Sequence, residues 1–139
     1  MLEADHHVLL AQIQELRDIF QKWRRQAPGS WSAREKRLVQ TWFRKHRLHL
    51  GTHFKAEEAM IFPYLTRQVP RLGPVLAKLE REHREIRRQS LAVETAFHAL
   101  CNPGRNGQTG APFCQKSLAM LRLIHRHVSQ EARLMESAF

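Results

Sequence analysis

Four long stretches of the chain repeat apolar residues every three or four positions, and none alternates residue by residue as a half-buried strand would. In the first, His6, Leu9, Ile13, Leu16, Phe20 and Trp23 fall on one stripe. The second carries Val39, Trp42, Phe43, Leu50, His53, Glu57, Met60 and Tyr64. The third carries Leu72, Leu76, Leu79, His83, Ile86, Ser90, Val93, Phe97 and Leu100, and the fourth Phe113, Met120, Ile124, His127, Glu131, Leu134 and Ala138. Turn chemistry separates them. "APGS" at 27–30, "VPRLGP" at 69–74 and "CNPGRNGQTGAP" at 101–112 hold every glycine but Gly51 and every proline but Pro63. The pattern predicts an all-α protein, an up-down-up-down antiparallel four-helix bundle formed by one domain of residues 1–139. Pro63, late in the second stretch, is expected to kink or end its helix.

Each buried stripe is interrupted by histidine, and two of them also by glutamate. Carboxylates are almost never fully buried unless paired or bound to a metal, so these interruptions need a reason. In an antiparallel bundle, residues equally far from a hairpin loop lie at the same height. His6 is 21 residues before Ala27 and His53 is 23 after Ser30. Glu57 is 12 before Val69 and His83 is 9 after Pro74, while His83 is 18 before Cys101 and His127 is 15 after Pro112. At about 1.5 Å of rise per residue, these differences amount to roughly 3 to 4.5 Å. His6, His53, Glu57, His83, His127 and Glu131 are therefore expected at one level of the interior. His53 with Glu57, and His127 with Glu131, are i,i+4 pairs that share a helix face. Four imidazoles and two carboxylates exceed the needs of a four-coordinate structural zinc and suit two metal ions bridged by carboxylates. Such donors are compatible with iron, manganese or zinc.

Neighbouring residues are weighed against the same stripes. His6 has Leu9, Leu10 and Ile13 at +3, +4 and +7, so the periodicity favours it over His7. Glu58 lies about 100° round the helix from Glu57 and is read as a supporting or surface residue rather than a ligand. His49, one turn before His53, is read as a partly buried histidine lining the interior. His46, His98 and His125 are read as ordinary structural histidines, and Trp42, Phe43, Phe54, Phe62, Tyr64 and Phe97 as core.

Composition narrows the class. Lys and Arg number 23 against 13 Asp and Glu, a net charge of +10. The basic residues are spread over every segment without a dense tract or interleaved aromatics, which argues against specific nucleic-acid binding. No run approaches the roughly 18 apolar residues of a membrane span, and "MLEADHH" lacks the pattern of a secretory signal, so a cytoplasmic protein is expected. Cys101 and Cys114 bracket the third loop without metal-ligand spacing and are expected as free thiols, with a disulfide across the loop as the alternative.

The ordered set "DHHVL" at 5–9, "HFKAEEAMIFPYL" at 53–65, "LEREHREI" at 79–86 and "HVSQEARLM" at 127–135 resembles the hemerythrin-like, HHE cation-binding domains over essentially the whole chain. The resemblance implies a non-heme di-iron bundle with oxo or hydroxo and carboxylate bridges. His6 and His53 would hold one iron, His83 and His127 the other, and Glu57 and Glu131 would bridge both. Two departures stand out. Oxygen-carrying members have a further histidine four residues after the position of His83; here it is Arg87, which stays protonated and cannot bind metal. The family also has a second glutamate after the position of Glu131 and a proline soon beyond, whereas this chain reads Ala132 and "ESAF". The two-plus-two histidine set is similar to di-iron proteins implicated in repair of iron centres. It implies reaction with, or sensing of, dioxygen, nitric oxide or peroxide under oxidative or nitrosative stress, with a redox partner protein to match. The alternatives are reversible oxygen storage, labile iron handling with donation to other iron centres, and a metal-free interaction module for anionic partners. An enzyme and a sensor would need the same centre.

Overall fold

In the computed structural model, residues 2–102 and 110–138 are described, with side chains at 7–102 and 110–137. Helix α1 (Leu2–Trp23) is followed by a 3₁₀ turn at Pro28–Ser30 and by α2 (Ala33–His49). Two π-helical segments, Leu50–Phe54 and Glu57–Ile61, and α3 (Phe62–Gln68) continue α2 without a break in the helical backbone. A 3₁₀ turn at Pro70–Leu72 leads into α4 (Gly73–Leu100), and α5 (Ala111–Ala138) completes the chain. The four rods form the expected all-α bundle, in which α5 packs against both α1 and α4, and α2 packs against α4. Among the described residues no helix is long and apolar enough to cross a membrane. Cys101 is an exposed free thiol and Cys114 a buried one, whose pKa burial pushes up to about 11.

Local chemistry fixes the first hairpin. Ser32 caps α2 by accepting the Glu35 backbone N–H at 3.0 Å, a cap worth about 1 kcal/mol. The Glu35 carboxylate then accepts from Lys22 and from Trp23 Nε1, tying the end of α1 to the start of α2. Trp23 stacks on Trp31 with centroids 4.1 Å apart, and Phe20, Phe97 and Phe113 close an aromatic cluster around them. This cluster belongs to the larger apolar core; a smaller one, with Phe62, Leu65, Leu72, Leu76, Leu79 and Leu134, lies on the far side of a polar layer.

The second rod corrects the sequence reading. Met60 and Tyr64, predicted inside, are 70% and 48% exposed, while Phe62 and Leu65 are buried. The cause is the π segment at Glu57–Ile61, where the Phe62 N–H reaches back five residues to the Glu57 carbonyl. A π turn takes in one extra residue, so the inward face advances by one position beyond Glu57. Pro63 does not end the rod. It sits directly after the π segment, at the junction where the hydrogen-bond pattern changes from π to α inside the continuous rod.

His46 is buried on α2, stacked on Trp42 at 4.3 Å and within 3.0 Å of Ser90 Oγ on α4. Burial, with His49 nearby, lowers its pKa to about 3. The unfolded chain therefore takes up a proton near pH 6.5 that the folded chain refuses until near pH 3, so this group costs stability as pH falls through that window. Between pH 7 and pH 5, metal-free parent should lose about 2 kcal/mol more stability than metal-free His46→Phe. Urea titrations at the two pH values check this, and equal losses would refute it.

Candidate metal centre

Between the two apolar clusters lie His53, Glu57, His83, His127 and Glu131. His53 and Glu57 come from the π-helical part of the second rod, His83 from α4, and His127 and Glu131 from α5. The structure brings these five sequence-predicted residues together; the side chain of His6 lies outside the described residues. His7 is exposed, as its place on the stripe requires.

Burial is nearly complete on one side. His83, Glu57, His127 and Glu131 have side chains 0 to 2% exposed, and His53 is 20% exposed. One ligand-type atom from each of the four buried residues lies within 4.8 Å of all the others. Each carboxylate also faces two imidazoles through different oxygens. Glu57 has Oε2 at 3.4 Å from His53 Nε2 and Oε1 at 3.2 Å from His83 Nε2. Glu131 has Oε1 at 3.7 Å from His53 Nε2 and Oε2 at 3.2 Å from His127 Nε2.

These approaches are close without being hydrogen bonds for several of the atoms. His83 Nε2, His127 Nε2 and both Glu57 oxygens are buried with no hydrogen-bond partner. A buried polar group left unpaired costs about 1–3 kcal/mol, so such atoms gathered at one point describe a binding site rather than core. The donor set fits a cation: two carboxylates supply negative charge and the imidazoles supply nitrogen.

The outer ring nitrogens are held. His83 Nδ1 lies 3.2 Å from Glu58 Oε1, and His127 Nδ1 lies 2.9 Å from Glu82 Oε1. Carboxylates only accept, so both Nδ1 atoms carry hydrogen, and Nε2 is in each ring the nitrogen turned toward the cluster. Arg87 pairs with Glu58 at 3.4 Å and stands 5.4 Å over the Phe54 ring. Phe54 in turn stacks on His83 at 3.7 Å, with Phe62 5.6 Å from the same ring. Burial raises the Glu58 pKa, but Arg87 and His83 outweigh it, and the carboxyl is held below its usual range. For His127, burial works against the proton, yet Glu131 and Glu82 prevail and raise the pKa. His53 is raised to about 10 by Glu131 and Glu57. Glu131 is lowered because His127, His53 and Glu57 outweigh its burial.

Three neighbours differ from, or add to, the sequence reading. Glu58, read as supporting or surface, lies against His83. Glu82 was not singled out; its signal was its place beside His83 in "LEREHREI", one step off the apolar stripe. His49 is exposed rather than partly buried, and its ring stacks on His53 at 4.7 Å.

The family model described as the hemerythrin HHE cation binding domain matches residues 1–138. Neither the curated proteins nor the solved structures gave a match. A helical bundle with a buried His/Glu group able to hold a metal ion, matched by that model over nearly its whole length, belongs to the hemerythrin HHE cation-binding family.

Proposed function

We propose that the protein holds two iron ions and reacts with or senses small oxidants: dioxygen, nitric oxide or peroxide. The observation that carries this reading is the two-sided geometry of Glu57 and Glu131. Each presents one oxygen to the His53 side and the other to the side of His83 or His127, the layout of a carboxylate that bridges two cations. His53, with His6 by resemblance, would hold one ion, and His83 with His127 the other. Iron at this site supplies one-electron redox chemistry and Lewis acidity toward a small oxidant.

The chain's own residues make the two halves unequal. His83 and His127 are sealed from solvent and fixed by Glu58 and Glu82, while His53 is partly exposed and has no such carboxylate behind it in the contacts described. The His53 half is thus where a small molecule approaches. Arg87 stands where oxygen carriers have a further imidazole, so this set offers one nitrogen fewer, which favours reaction over reversible storage. The two free thiols fit a reducing compartment, and we assign the protein to the cytoplasm.

Metal content per chain, with the optical spectrum of the reduced protein before and after air, tests the proposal. About two irons and an irreversible spectral change support it; full regeneration on removing oxygen would move the protein to storage, and no bound metal would refute the centre. A narrower test concerns the groups behind the ligands. Glu82→Ala leaves every proposed ligand in place but frees the His127 ring, and should weaken metal affinity about 10- to 100-fold in a chelator competition. Unchanged affinity would show that Glu82 does not position His127.

A further inference from the structure

The guanidinium of Arg87 meets both of the groups that hold the His83 ring. On one side it donates from Nη1 and Nη2 to the two oxygens of Glu58, at 3.5 and 3.4 Å, and Glu58 Oε1 in turn accepts from His83 Nδ1 at 3.2 Å. On the other it stands 5.4 Å over the Phe54 ring, which stacks on His83 at 3.7 Å with the planes 7° apart. A two-pronged contact with a carboxylate, together with a place over an aromatic face, is the combination that arginine makes and lysine does not.

The ring of His127 is held differently. Glu82 Oε1 accepts from its Nδ1 at 2.9 Å, and among the described residues Glu82 has no arginine or lysine within ion-pair distance. The carboxylate behind His127 thus carries a full negative charge, whereas the one behind His83 is neutralised by Arg87, and the hydrogen bond to His83 is the longer, 3.2 Å against 2.9 Å. A carboxylate behind a metal-bound imidazole raises its strength as a donor, and it does so through its charge. The two imidazoles proposed for one ion are therefore unequally supported, His83 the less.

We infer that Arg87 is a positioning residue of the metal centre: by neutralising Glu58 and fixing Phe54 it makes His83 the weaker donor and biases the bound iron toward its reduced, ferrous state. An added positive charge beside the ligand acts in the same direction, since it opposes the gain of charge on oxidation. The unequal support of the two rings is a property of the chain alone, and the inference rests on the proposed iron centre only for the redox bias.

Two measurements test this. The first needs no metal: in the NMR spectrum of histidine-labelled, metal-free protein, the Nδ1–H proton of His83 should move downfield in Arg87→Met, as its bond to the unshared Glu58 carboxylate strengthens, while that of His127 stays in place. A His83 proton that does not move, or two rings that move together, overturns the inference. The second uses iron-loaded protein in an anaerobic redox titration. Arg87 is 39% exposed and none of the six proposed ligands changes, so Arg87→Met should still load when iron is in excess. At the parental midpoint its oxidised-to-reduced ratio should rise about tenfold, the effect of one hydrogen bond to a charged group, which is a midpoint lower by about 59 mV for one electron. Arg87→Lys, which keeps the charge and loses the two-pronged contact, should restore part of that shift. An unchanged midpoint in Arg87→Met, or equal shifts in Arg87→Met and Arg87→Lys, overturns the redox role. A parent that binds no iron refutes the centre instead, and the metal-free spectra then decide the unequal support of His83 and His127 on their own.

Discussion

Glu57→Ala should abolish stable metal binding, taking the protein from about two irons per chain to a small residue. The side chain is 1% exposed, its two oxygens face imidazoles from two different rods, and neither has a hydrogen-bond partner. Alanine removes a donor from both halves of the site at once, and no neighbouring carboxylate can swing in, because Glu58 is engaged by His83 and Arg87. The comparison that gives the result meaning is Glu58→Ala. That change removes the same chemical group one residue further on but leaves all six proposed ligands, so it should weaken affinity about 10- to 100-fold and still load when iron is in excess. Iron analysis after desalting separates the two. Equal iron in Glu57→Ala and the parent would remove Glu57 from the centre; equal loss in both variants would mean that Glu58 is itself a ligand.

The same pair of residues shows how far the sequence could be read. Glu57 was visible because a buried stripe has no other use for a carboxylate, and because its height matched that of His83 across the second loop. Levels survive small errors of pitch, since a few residues shift a side chain only along the axis. Rotation does not survive them. Helical spacing placed Met60 and Tyr64 inward, and the π segment at Glu57–Ile61 turned the face by one residue, leaving both exposed. Periodicity assumes the α pitch and carries no mark of a wider turn. Glu82 and the Arg87–Glu58–His83 contacts were hidden for a related reason: they lie beside the stripe, on the boundary where acidic and basic residues are ordinary solvated surface. Only the packed neighbour tells them apart. His46 was read as a structural histidine, and the structure agrees in burying it; its stacking on Trp42 and its contact with Ser90 across the helix interface are tertiary facts that no spacing encodes.

Removing the metal should cost the folded protein about 4 kcal/mol, and the size of that loss follows from what the site looks like empty of any cation. Two carboxylates and several imidazole nitrogens are then held together in the interior with hydrogen bonds unmade, each an unfavourable burial. Iron present at about a thousand times its dissociation constant would offset this by roughly 4 kcal/mol, through binding to the native state alone. For a chain of this length that corresponds to a melting temperature lower by about 10–20 °C after chelation. Readdition of iron should restore it, and magnesium should not, because imidazole-rich sites suit transition metals rather than hard oxygen-seeking ions. In Glu57→Ala the chelator should change nothing, so the difference between parent and variant isolates the metal from any effect of the chelator itself. A parent whose metal is verifiably removed without a shift in melting temperature would show that the five described residues pack as a self-sufficient polar layer, stabilised by the His53 and His127 ion pairs with Glu57 and Glu131 and owing nothing to a cation.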